Sequence, residues 1–153
     1  ANFLGVELRE WCVDAANEEA SGAGLAGRVG FVSASVNNGL EPLAAALAAR
    51  VAAPPGGAAA GGGLVKLVAI QFPDPWARKK NRKRRIVTPG FAVAVARVLP
   101  PGGCAYVSCD YAELADDMCE TFRAAAGGAG PYFARGGEGD VAAALGAPAG
   151  SPP

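Results

Sequence analysis

Apolar and polar positions alternate along this chain in blocks that predict strand and helix in turn. A short apolar run from Asn2 to Val6 closes on Glu7 and reads as a strand. Glu10 to Ala20 then sets Trp11, Val13, Ala15 and Ala16 among acidic residues, a helical pattern. Val29 to Ser33 is a second strand, and Leu40, Leu43, Leu47 and Val51 recur at the spacing of a helix over Glu41 to Ala52. The apolar run Leu67 to Phe72 has the length and branching of a strand buried on both faces. Thr88 and Pro89 supply a hydroxyl cap and a first-turn proline for a helix through Phe91 to Leu99. After the turn Pro100 to Gly103, Cys104 to Cys109 reads as a strand. Tyr111 to Ala126 follows as an amphipathic helix, with Leu114, Met118 and Phe122 and the acidic set Glu113, Asp116, Asp117 and Glu120. Four strands alternating with four helices predict an α/β fold, mostly parallel, with right-handed crossovers.

Glycine and proline mark where the pattern stops. Pro54 to Gly63 is a low-complexity stretch that reads as a flexible surface insertion, and Pro131 to Ala134 reads as a strand edge. Residues 136–153, rich in Gly, Ala and Pro, read as a disordered tail. Gly22, Gly24 and Gly27 spell GxGxxG, but they follow a helix and precede a strand. A dinucleotide loop needs the reverse order, so that a helix amino terminus meets the phosphates. These glycines read as a linker.

The chain has 153 residues, enough for one domain with a core, and a formal net charge of zero. That balance hides a concentration: of 14 Lys and Arg, seven lie between Arg78 and Arg85, where only Asn81 interrupts them. With no histidine and no CxxC spacing, Cys12, Cys104, Cys109 and Cys119 form no zinc motif and read as buried free thiols. No apolar run reaches the length that spans a bilayer, so no membrane partner is expected.

The basic run follows directly on Pro73-Asp74-Pro75. A proline on each side of Asp74 fixes φ and ends the strand, so the carboxylate is presented from a stiff turn at a strand's carboxyl end, where open parallel sheets bind ligands. Trp76 adds a planar surface able to stack a base or cover the loop. A run of cations is most often a solvated surface or an import signal. Here it stands among four strand ends that carry polar groups: Glu7, Ser35 with Asn37, Asp74, and Asp110.

The runs NFLGVELRE and IQFPDPWARKKNRKRRIVTPGF, the turn LPPGG and the strand end VSCDY together resemble the tRNA (guanine-N7)-methyltransferases, from Asn2 to about Phe122. The resemblance implies a Rossmann-like class I methyltransferase fold over residues 1–135, S-adenosylmethionine as cofactor, and tRNA as partner, methylated at guanosine 46 of the variable loop. It implies Asp74 as the catalytic carboxylate. It implies Glu7, Arg9, Ser35, Val36, Gln71 and Asp74 at the cofactor, with Glu7 on the ribose hydroxyls and Ser35 standing where the family has Asp or Asn. It implies Arg78 and Asp110 at the substrate, and Lys80, Arg82, Lys83, Arg84 and Arg85 on RNA. The family's first strand and glycine-rich loop are expected before Asn2, and its Thr and Glu cluster is not recognisable after Phe133. The chain therefore reads as a fragment of a gene product, weak or inactive by itself.

The competing reading is a non-catalytic RNA-binding module using the basic loop 78–85, for which the strand-end acids have no use. A methyltransferase acting on a small molecule or protein leaves that loop unexplained. Plastid, nuclear and bacterial settings all fit an intracellular protein of this kind, and a eukaryotic nuclear form would bring a non-catalytic partner subunit.

Overall fold

The computed structural model describes residues 2–51, 65–127 and 130–137. The chain divides into two compact units, residues 1–39 and 40–153. The first is a β-α-β turn of chain: β1 (Phe3–Glu7), α1 (Glu10–Gly22) and β2 (Val29–Ser33). The strands pair in parallel from Phe3 with Val29 to Glu7 with Ser33, as a crossover helix between them requires. Val13 and Ala20 are the buried face of α1. Asn17, from the same helix, donates to the Phe31 carbonyl at 3.0 Å and accepts from the Phe31 amide at 2.9 Å, so one side chain satisfies both backbone groups of a strand residue. A Cβ on Gly5 would lie 2.2 Å from the Phe31 ring, so the ring packs only where β1 has no side chain. Gly24 and Gly27 have φ of 71° and 81°, and they turn the chain from α1 into β2 as the linker reading requires.

The helix α2 (Val36–Val51) starts five residues before the expected Glu41. Pro42 sits inside the helix, where it removes one backbone bond toward Asn38. The second unit then has β3 (Leu67–Gln71), a short 3₁₀ helix (Lys79–Arg84), α3 (Pro89–Val98), β4 (Cys104–Ser108) and α4 (Ala112–Ala124). β3 and β4 are parallel, in register from Leu67 with Cys104 to Gln71 with Ser108. Two short antiparallel pieces close the unit: β5 (Ala126–Gly127) and β6 (Gly130–Pro131), the latter at the start of the strand edge expected there. The expected insertion at 54–63 lies outside the described residues, as do 138–153 of the expected tail.

Phe91, Ala92 and Val95 of α3 pack into a core with Leu114, Met118 and Phe122 of α4, joined by Ile70, Val87 and Ala125. The Thr88 hydroxyl accepts from the Phe91 amide at 3.2 Å, the cap its sequence position foretells. The Phe133 ring meets Phe122 edge-on at 5.0 Å. β3 departs from the both-faces-buried expectation, since only Ile70 is buried while Ala69 and Gln71 are exposed. Among the described residues it has a strand neighbour on one edge alone. The four cysteines form no disulfide among the described residues and are half-buried rather than buried. No helix of the described residues is long and apolar enough to cross a membrane.

Leu114 is 1% exposed at the centre of this core. Leu114→Ala is expected to cost about 2–5 kcal/mol by urea denaturation of the full-length protein, and Thr88→Ala only about 1 kcal/mol, the worth of a cap.

Candidate active site

β3 runs one bond past its last residue, with the Phe72 amide on the Ser108 carbonyl at 2.9 Å, before the chain turns through Pro73-Asp74-Pro75. The turn is strained at both ends. Phe72 and Trp76 have φ of 48° and 39°, a left-handed backbone that costs about 1–3 kcal/mol for a residue with a side chain. Such residues persist only where surrounding structure holds them. Asp74 stands exposed between the two prolines and makes no ion pair among the described residues.

The register of β3 with β4 carries a second carboxylate to the same strand end. Gln71 is paired with Ser108, so the Asp74 turn and Asp110 both follow from the carboxyl ends of neighbouring parallel strands. Asp110 is exposed, and the Cys109 thiol donates to it at 3.8 Å.

The cationic run is a 3₁₀ helix where a loop was expected, and its charges divide into distinct groups. Arg85 turns inward: it is 4% exposed, its Nε donates to the Pro75 carbonyl at 3.0 Å, and its Nη1 pairs with Asp117 Oδ2 at 2.9 Å. Its Nη2 is buried with no partner among the described residues. Arg85, expected with the RNA-facing residues, is thus buried while the other cations of the run are exposed. Arg82 pairs with Glu113 at 2.6 Å, and Tyr111 donates to the other oxygen of that carboxylate at 3.1 Å. Arg84 lies over the Trp76 ring at 5.1 Å, a cation–π contact. Arg78, Lys79, Lys80 and Lys83 remain exposed and without ion pairs among the described residues.

Sequence reasoning noted the acids of α4 without seeing what they do. Glu113 and Asp117 are four apart, one face of an α-helix, whereas Arg82 and Arg85 are three apart, one edge of a 3₁₀ helix. The two spacings match, and that complementarity was the available signal. An open depression of about 380 Å³ is lined by Pro89, Val93, Glu120 and Thr121 along with Asp117; it includes neither Asp74 nor Asp110.

In the first unit, the backbone amides of Leu8 and Arg9 both donate to Glu7 Oε1 at 3.0 Å, and Arg9 Nε adds a third bond at 3.3 Å. These hold the Glu7 carboxyl below its ordinary pKa, the Arg9 amide contributing most. The sign follows: the stabilisation is complete above the ordinary carboxylate range and is lost as pH falls through the lowered value. With the bonds converging on Oε1, Oε2 keeps its lone pairs for hydroxyl donors. Ser35 precedes the first residue of α2, Val36; Ser35 is exposed and Val36 half-buried. Gln71, in the second unit, is an exposed strand end. Among the described residues no acidic or cysteine group of three could hold a metal ion.

Residues 61–127 match a model of the family described as "Putative methyltransferase". The chain is 34% identical over 139 residues to the tRNA (guanine-N(7)-)-methyltransferase of Trichormus variabilis, which covers 91% of this chain and 56% of the relative. It is 37% identical over 123 residues to the protein of that name from Synechococcus elongatus, covering 80% and 51%. For that of Microcystis aeruginosa the identity is 34% over 134 residues, covering 88% and 54%. The chain spans about half the length of these curated relatives.

Glu113 neutralises Arg82, so freeing that arginine has a measurable result. Glu113→Gln in the full-length protein is expected to tighten binding of a structured RNA, because phosphate no longer displaces a carboxylate, and Arg82→Gln to weaken it and flatten the fall of log K with log salt by roughly 0.7–0.9, one phosphate contact. A slope in Arg82→Gln identical to wild type would show that Arg82 makes no phosphate contact.

Proposed function

We propose that this chain belongs with the tRNA (guanine-N7)-methyltransferases and takes part in methylating N7 of guanosine 46 in the variable loop of tRNA. The observation that carries this reading is the placement of Asp74 and Asp110 at adjoining parallel strand ends, next to a strip of exposed cations. A carboxylate serves this reaction because N7 has a free lone pair and needs no base to remove a proton.

S-adenosylmethionine, when bound, supplies the methyl group on a sulfonium centre. Transfer of that methyl group to guanine N7 would leave the purine positively charged. Asp74 stabilises this charge and accepts from the amino edge of the base, which orients N7. Glu7 would accept from the ribose hydroxyls of the cofactor, with Arg9, Ser35 and Val36 of the same unit assigned to it. The acceptor fits: Glu7 Oε2 takes no hydrogen bond among the described residues and suits a hydroxyl donor. Arg78 and Asp110 contact the substrate, while Lys80, Arg82, Lys83 and Arg84 hold tRNA phosphates. The relatives above are cyanobacterial, which favours a bacterial or plastid setting over a nuclear one.

The test is the purified full-length protein with labelled S-adenosylmethionine and unmodified tRNA. Label is expected in 7-methylguanosine at position 46, and none in a transcript carrying adenosine there. RNA binding with no cofactor affinity and no methyl transfer would instead establish the non-catalytic RNA-binding module.

A further inference from the structure

We infer that Arg85 is a positioning residue, holding the strained turn 72–76 so that Asp74 is presented in one orientation; the inference rests on the catalytic reading of Asp74. Three observations carry it. The turn has left-handed backbone at Phe72 and at Trp76, which the local sequence does not favour. The Arg85 Nε bond falls on the Pro75 carbonyl, in the peptide that joins Pro75 to strained Trp76. The same guanidinium is anchored through Nη1 to Asp117 on α4, a helix whose Leu114, Met118 and Phe122 are in the core. The turn is thereby tied to a helix of the buried core.

A solely stabilising role fits the site poorly. Burying a guanidinium with one donor unpartnered is costly, and apolar residues of similar volume commonly serve stability as well or better. What an apolar residue cannot do is fix a carbonyl in place. Lysine is also a poor substitute, since one ammonium has no planar fork to serve the Pro75 carbonyl and Asp117 in the geometry of Nε and Nη1. The preceding residue makes the contrast: Arg84 is exposed and lies over the Trp76 ring at 5.1 Å, so adjacent arginines contact the turn in different ways.

The experiment compares Arg85→Met, Arg85→Lys and Asp117→Asn in the full-length protein. For both Arg85 variants kcat is expected to fall about 10- to 100-fold, the effect of misplacing a catalytic group by about an ångström. KM for tRNA and the salt slope of tRNA binding stay as in wild type, because no phosphate contact is lost. Asp117→Asn keeps the bond to Pro75 but weakens the anchor, and is expected to show a smaller loss of kcat. If Arg85→Met fails to fold, the Lys and Asn variants decide. Wild-type kcat in Arg85→Lys overturns the inference, as does a salt slope reduced by roughly 0.7–0.9 with kcat retained, which would make Arg85 a phosphate contact. Trp76 fluorescence, taken as the difference from Trp76→Phe, gives a readout free of methyl transfer. It is expected to shift in Arg85→Lys, and an unshifted signal contradicts the inference. If wild type transfers no methyl group, the proposed function fails, and this signal still settles whether Arg85 holds the turn.

Discussion

A buried guanidinium must find acceptors, and in this protein Arg85 finds one of them in the backbone of the turn that carries Asp74. Much of the second unit follows from that bond. The prolines at 73 and 75 stop β3 and stiffen the turn, but they do not favour the left-handed backbone at Phe72 and Trp76. Something outside the turn has to hold it. Arg85 does so from below and Arg84 lies over Trp76, while α4 supplies Asp117 as the anchor. The acidic turn and the basic segment are therefore one structure, joined through the carbonyl of Pro75.

The same arrangement sorts the positive charge. A run of seven cations in one segment repels itself, and the fold relieves this by pairing Arg82 and Arg85 with acids of α4. The Arg82 pair is half exposed and contributes little to stability, so a phosphate can compete for it. The Arg85 pair, with its guanidinium 5% exposed, is shielded from that competition. Two neighbouring ion pairs to one helix thus have different uses, one exchangeable and one fixed, and the burial of the arginine decides which is which.

The strands were legible in the sequence because each is a short apolar run with clear punctuation. β2 matches its expected limits, and β1, β3 and β4 differ by one residue at an end. The start of α2 was not legible: Pro42 is a good first-turn signal, and nothing local shows that a helix will carry it inside. The placement of Asp74 and Asp110 at strand ends was visible too, because alternation with helices dictates parallel pairing. The inward turn of Arg85 was not visible, since charge counts treat Arg82, Arg84 and Arg85 alike. Only the 3₁₀ period of that segment, set against Glu113 and Asp117 on α4, separates them, and a run of cations has no hydrophobic pattern to reveal its period.

In the proposed reaction Asp74 is the group that meets the purine, so its replacement is the most direct measurement. Single-turnover methyl transfer by full-length Asp74→Ala, at saturating tRNA and S-adenosylmethionine, is expected to slow on the order of 100-fold, the scale for losing one preorganised charge-stabilising group. Binding of tRNA should persist, because the exposed cations are untouched. A single-turnover rate equal to wild type would contradict the assignment of Asp74 as the group that orients and stabilises the purine.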